Sequence, residues 1–253
     1  MNLLLISGHG AGDPGAVGTY NWKQYREADE ARKVTAELQR LLREYADVTI
    51  YPTDRNAFAD HTKGTLAAVA KFRKYDYVLE VHFNALRQDI RDGSTKGTEI
   101  YVTTKAEDTN VETAILRNVS AVGLRNRGVK RKNWSVIQTA KNAGVPAALL
   151  EICFIDDPDD MAVYTGKFSS ICRGIASAMV QEFGLEETMT EERVRAIVRE
   201  MLAGKDTTAS KALQEEFSEA KAKGITDGSR PGGYATREQV AAMVLRSMKQ
   251  GKG

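Results

Sequence analysis

The run Asn2-Leu3-Leu4-Leu5-Ile6 is apolar without alternation and leads directly into Ser7-Gly8-His9-Gly10-Ala11-Gly12-Asp13-Pro14-Gly15-Ala16. A strand that does not alternate is covered on both faces, which calls for a sheet sandwiched between helices. The glycines after it permit a tight loop that carries one histidine close to backbone. A histidine on such a loop is either a turn residue or a ligand, and by itself it does not decide between them.

The rest of the chain repeats this alternation. Ala31, Val34, Leu38, Leu41 and Leu42 recur at helical spacing behind the acidic start Glu27-Ala28-Asp29-Glu30, and Val48–Tyr51 reads as a second strand ending at Pro52. The spacing of Leu66, Val69, Ala70 and Phe72 predicts a helix over about 63–73, followed by a strand at Tyr77–Asn84. A strand at Thr98–Thr103, a helix over about 108–124, a basic loop at Arg125–Lys132, a buried strand at Pro146–Ile152 and a helix over about 165–183 complete the pattern. The expected fold class is α/β: a mainly parallel twisted sheet flanked by helices, with a small all-α C-terminal domain.

From about residue 184 the composition shifts to Glu, Lys, Thr and Ala without strand patterning. We therefore expect a catalytic domain over 1–183, a linker over 184–189 and a helical unit over 190–253. In that unit Thr190 caps one helix, Leu213, Phe217 and Ala220 mark a second that stops at Gly224, and Thr236-Arg237-Glu238-Gln239 forms a capping box for a third.

Charge and cysteine usage narrow the function. The 36 Lys+Arg against 34 Asp+Glu leave a net charge of +2, which argues against a dedicated nucleic-acid binder. No apolar run approaches the roughly 20 residues of a membrane span. The start Met1-Asn2-Leu3-Leu4-Leu5-Ile6 lacks the features of a signal peptide, so cytoplasmic synthesis is expected. Cys153 and Cys172 lie in apolar surroundings and read as reduced core residues.

Sites in such sheets collect at strand ends. His9 and His82 follow or finish two strands, Glu151 stands near the end of a third, and Glu27 opens the first helix. Two histidines and a carboxylate with an open fourth position form the usual donor set of hydrolytic zinc, which brings the pKa of water from about 15.7 to about 7. A second carboxylate that moves protons completes such a site, and Glu151 is placed for that work. Competing readings stand beside these: Glu27 serves only the helix dipole, as Asp29 and Glu30 do, and His82 is an ordinary strand-end histidine. Glu80 is a rival carboxylate that shares a face with His82 if no bulge intervenes. His61 is expected at the surface. The glycine loop lacks the GxxxxGK[ST] pattern and does not read as a phosphate cradle.

Four segments, in order, resemble the zinc-dependent N-acetylmuramoyl-L-alanine amidases of the amidase-3 family, especially phage endolysins. They are Gly8-His9-Gly10 with Asp13-Pro14-Gly15-Ala16, Tyr25-Arg26-Glu27-Ala28, Val81-His82-Phe83-Asn84-Ala85, and Val145–Glu151 followed by Phe154-Ile155; Asn126–Lys130 resembles a substrate-cleft segment. The resemblance implies His9, Glu27 and His82 on Zn2+, Glu151 as acid/base, and Asn84, Arg127 and Lys130 in contact with substrate. It also implies hydrolysis of the amide between muramic acid and L-alanine of peptidoglycan at the bacterial wall, and the start without signal-peptide features adds an expected release by a membrane-permeabilising partner. Cys153 and Asp157 depart from the family pattern, where glycine and asparagine are usual. Residues 222–228 and 235–243 resemble, more loosely, a surface-layer-homology motif. That implies wall-polymer binding, with homo-oligomerisation through the helices as the alternative. A zinc peptidase or deacetylase on another wall bond, and a non-catalytic wall-binding protein, are the competing functions.

Overall fold

The computed structural model describes residues 1–86, 91–186 and 214–225. The chain divides into two units, Met1–Thr188 and Met189–Gly253. In the first, strands β1 (Asn2–Ser7), β4 (Asp47–Ile50), β5 (Tyr77–Asn84), β6 (Thr98–Val102), β7 (Asn126–Arg131) and β8 (Ala147–Phe154) form a six-stranded sheet in the order β4-β1-β5-β8-β6-β7. Strands β2 (Val17–Tyr20) and β3 (Lys23–Arg26) form a separate antiparallel hairpin.

Both faces of the sheet are covered, as the apolar run of β1 demands. Leu3, Leu5, Leu79, Val81, Leu150 and Ile152 pack under helices α1 (Glu27–Leu42), α4 (Asn110–Ser120) and α6 (Pro158–Glu182). Leu4, Ile6, Val78 and Leu149 face the other way, toward α2 (Ala57–Thr62), α3 (Leu66–Ala70) and α5 (Ser135–Asn142). Residues one apart on a strand thus belong to different cores. Cys153 and Cys172 are free and buried, as expected.

The α/β class holds, but the structure corrects several local expectations. The helix expected over 63–73 is the shorter α3, which ends where Lys71 takes φ 51°, and the polar segment before it holds a further short helix, α2. Asn56 starts α2 by accepting the Ala59 amide (3.0 Å), and Gly64 (φ 73°) breaks the chain before α3. The basic stretch at 125–132 is not a loop but strand β7. It pairs with β6, so Lys and Arg side chains occupy an edge strand, where charge is tolerated. The β2–β3 hairpin has no alternating apolar pattern, since only Gly18 of its eight residues is buried. Helix α6 starts earlier, at Pro158, where Asp157 caps the amides of Asp159 and Asp160, and it kinks at Lys167. In the second unit a helix spans Gln214–Ala222, with Gly224 (φ 67°) just after it. The expected cap at Thr190 and capping box at 236–239 lie outside the described residues.

One departure from parallel order matters for the site. β6 runs antiparallel to β8, with Glu99 opposite Glu151, so the start of β6 meets the end of β8. The buried carboxylate of Asp160 ties this junction, accepting the amides of Gly97 (3.0 and 3.1 Å) and Phe154 (2.7 Å). Asp160→Ala leaves two buried donors without a partner, each costing about 1–3 kcal/mol. We expect a loss of roughly 2–6 kcal/mol in urea unfolding, and an unchanged midpoint would show that the junction is held by other contacts.

Candidate metal centre and active site

The loop after β1 is shaped to bring His9 beside the sheet edge. His9 itself has φ 61°, a conformation that costs energy outside glycine and persists only where surroundings impose it. Two glycines make the approach feasible. A Cβ on Gly8 would lie 2.4–2.7 Å from the His82 ring, and one on Gly15 would lie 2.6 Å from His9 Cδ2 and 2.7 Å from Glu27 Oε2. Any side chain at either position would occupy the space the cluster needs.

Glu27 is the meeting point. It is only 3% exposed at the start of α1. Its Oε2 accepts the Ala16 amide (2.8 Å) and lies 3.1 Å from His9 Nε2. Its Oε1 accepts the Phe83 amide (3.0 Å) and lies 2.8 Å from His82 Nδ1. Burial pushes its pKa up, but the hydrogen bonds and charges of His82 and His9 outweigh this and hold it well below the usual carboxylate range. Burial likewise opposes protonation of His82, and Glu27 and Glu80 reverse that to hold its pKa well above the ordinary histidine value. His9 is raised by Glu27 and Asp13 against burial. Its Nδ1 lies 2.8 Å from Asp13 Oδ2, and Asp13 in turn accepts from Asn56 (3.1 Å) at the start of α2.

His9, Glu27 and His82 each offer one ligand atom, all within 4.8 Å of one another. This donor set, two imidazoles and one carboxylate, suits a divalent cation of borderline softness.

Glu151 stands beside His82 on the neighbouring strand. Burial, with the charges of Glu27, Glu99 and Glu80, pushes its pKa up to about 7 although His82 opposes the shift. Its Oε2 is buried and has no hydrogen-bond partner. A carboxyl that titrates near neutrality with a free oxygen is suited to take and return a proton.

Asn84, Arg127 and Lys130 come together, but around a residue the sequence reasoning missed. Glu99, 1% exposed, accepts from Asn84 Nδ2 (3.0 Å), Tyr101 Oη (2.8 Å), Arg127 Nε (2.5 Å) and Lys130 Nζ (2.5 Å). Burial raises its pKa, yet Lys130, Arg127 and Tyr101 bring it below the ordinary value. The signal was available: Glu99 is the single charge in Thr98–Val102, an otherwise uncharged strand. Glu80 also joins the site, its Oε1 3.1 Å from His82 Nε2, because the register shift in β5 comes after His82 and leaves the two on one face. His61 is exposed and pairs with Thr139 (3.0 Å), as expected of a surface residue.

His9, Glu27, Glu80, His82, Asn84 and Glu151 line a cleft of about 310 Å³. Phe58 and Trp134, both exposed, form part of its wall.

Residues 3–181 match the family described as N-acetylmuramoyl-L-alanine amidase (Amidase_3). The endolysin of Bacillus phage SPP1 is 28% identical over 167 residues, which cover 64% of this chain and only 57% of the endolysin. The sporulation-specific N-acetylmuramoyl-L-alanine amidase of Bacillus subtilis is 27% identical over 225 residues, covering 86% of this chain and 82% of that protein. The catalytic domain of CwlV, from Bacillus (Paenibacillus) polymyxa var. colistinus, superimposes with a TM-score of 0.59 at 22% identity, covering 73% of this chain and 99% of that domain. With a family match across residues 3–181 and the corresponding fold beneath it, the chain belongs to the N-acetylmuramoyl-L-alanine amidase family.

Proposed function

We propose that this protein is a zinc-dependent peptidoglycan amidase of the endolysin kind, cleaving the bond between the lactyl group of muramic acid and L-alanine of the stem peptide. The observation that carries this is the convergence of His9, Glu27 and His82 beside a buried carboxyl whose pKa lies near 7. His9, Glu27 and His82 would hold the cation. Zinc, when bound, acts as a Lewis acid toward water and the amide carbonyl. Glu151 takes a proton from the attacking water at its free Oε2 and delivers it to the departing alanine nitrogen as the C–N bond breaks. Glu99, opposite Glu151 across the strands, gathers Asn84, Arg127 and Lys130, and Lys130, 37% exposed at its side chain, is the cation of this group most open to substrate.

The domain reading is 1–183 as the catalytic part, 184–189 as linker and 190–253 as the unit that binds wall polymer or joins copies of the chain. No helix among the described residues is long and apolar enough to cross a membrane. An enzyme that acts at the bacterial wall fits the endolysin kinship.

Digestion of purified peptidoglycan tests the reaction: new L-alanine amino termini should appear while the glycan stays intact, and new reducing ends or any other new amine would overturn the assignment. His9→Ala and His82→Ala should lose both zinc and turnover. Glu151→Gln should keep one zinc by metal analysis and lose turnover by about 10²–10⁴-fold, the usual worth of a general acid/base; near-normal activity in that variant would remove its role.

Glu151 also makes a prediction for the metal-free protein. Its folded-state pKa of about 7 exceeds the ordinary 4.5, so the folded state keeps a proton that the unfolded chain gives up. Stability falls as pH rises from 4.5 through 7, by about 3 kcal/mol from this group. Glu151→Gln should remove that part of the fall in urea unfolding at pH 4.5 and pH 8, and parallel curves for the two proteins would contradict the buried acid.

A further inference from the structure

Each imidazole of the donor set has its far nitrogen against a carboxylate, and the two arrangements are mirror cases. His9 turns Nε2 toward Glu27 and Nδ1 toward Asp13, which is well exposed. His82 turns Nδ1 toward Glu27 (2.8 Å) and Nε2 toward Glu80 Oε1 (3.1 Å). Glu80 is only 4% exposed and stands in register between Ile6 of β1 and Leu149 of β8.

A carboxylate placed between two apolar strand residues is expensive unless it is paired. Among the described residues its hydrogen bond is to His82. Packing alone would favour an apolar residue here, so the carboxylate is explained by what it does to the ring. It is also not one of the three residues whose ligand atoms converge. The His82 ring stands between Glu80 and Glu27, with one nitrogen directed at each.

We propose that Glu80 is a positioning residue of the metal centre, accepting the Nε2–H of His82 so that Nδ1 is left unprotonated and aimed at the cation. This rests on the zinc reading above and goes beyond it by naming what sets the tautomer of one ligand. The imidazole of a metal ligand has one nitrogen for the metal and one proton to give away, and a carboxylate acceptor both fixes the ring and strengthens the ligand nitrogen. Glu80 therefore acts on zinc affinity, while Glu151 acts on the proton that moves in the reaction.

The test uses the full chain and zinc alone, with affinity measured by competition against a chromophoric chelator. Glu80→Ala should weaken zinc binding by about 10–100-fold. Glu80→Gln, whose amide oxygen still accepts from Nε2–H, should lose less. In nitrogen-15 spectra of the zinc-loaded wild type, His82 should show a protonated Nε2 and a metal-bound Nδ1, and the Nε2 proton should exchange faster in Glu80→Ala. The thermal midpoint of the metal-free variants should stay level or rise, whereas a carboxylate kept for folding would lower it. Zinc affinity unchanged in both variants, or His82 protonated on Nδ1 in the zinc-loaded wild type, overturns the proposal. A wild type that takes up no zinc overturns the zinc reading and the proposal together, and it is told apart because the failure appears without any substitution.

Discussion

The carboxylate of Glu27 joins three parts of the chain that are far apart in sequence. It receives the Ala16 amide from the loop after β1 and the Phe83 amide from β5, and its two oxygens face His9 and His82. A buried charge of this kind survives only when every lone pair is met by a donor or a cation. The glycine loop, the hairpin and the first turn of α1 are arranged to meet it. Gly8 and Gly15 leave the rings room, and the Glu27 and Ala28 amides bond back to Ala16 and Pro14 (2.9 and 3.0 Å). Each oxygen of this buried carboxylate thus meets one backbone amide and one imidazole.

The sheet supplies the remaining groups by register. Glu80 and His82 on β5, Glu151 on β8, and Glu99 on β6 project to one face, because alternation and pairing fix them together. Reversal of β6 is what makes this possible, since it brings the beginning of that strand against the end of β8. Asp13, Glu27 and Glu80 surround the two imidazoles, and the pKa of each imidazole is raised against its burial, His9 by Glu27 and Asp13 and His82 by Glu27 and Glu80.

The strand-end histidines, the helix-opening glutamate and the glutamate of the last strand were legible because each sits at a junction that hydrophobic patterning marks. Their motifs, in order, were specific enough to name a family. The parts that were not legible depend on tertiary pairing. The residues of β7 read as a basic loop because an edge strand needs no apolar alternation. Helix α2 was hidden because its six residues carry no apolar spacing, and its start is set by Asn56, whose bond to Asp13 joins segments 43 residues apart. Glu99 gave no motif of its own. Its meaning comes from Arg127, Lys130 and Asn84, which reach it from two other strands.

Glu99 and Glu151 show how one sheet face can hold an anion and an acid side by side. They are opposite one another across β6 and β8, and both are largely withdrawn from water. What separates them is the company each keeps. Glu99 has two cations and two neutral donors on its oxygens, which stabilise the ionised form. Glu151 has a free Oε2 and negative neighbours, and Glu99 is one of them. Each ionised carboxylate near it makes a second ionisation costlier, so the ionised Glu99 helps keep Glu151 protonated near neutral pH. The basic strand β7 thereby influences the proton-carrying group without touching it. Its Lys and Arg hold Glu99 in the charged state, and the charge of Glu99 raises the pKa of its neighbour. Pairs of titratable groups driven apart in this way mark where a fold performs acid and base chemistry at the same pH.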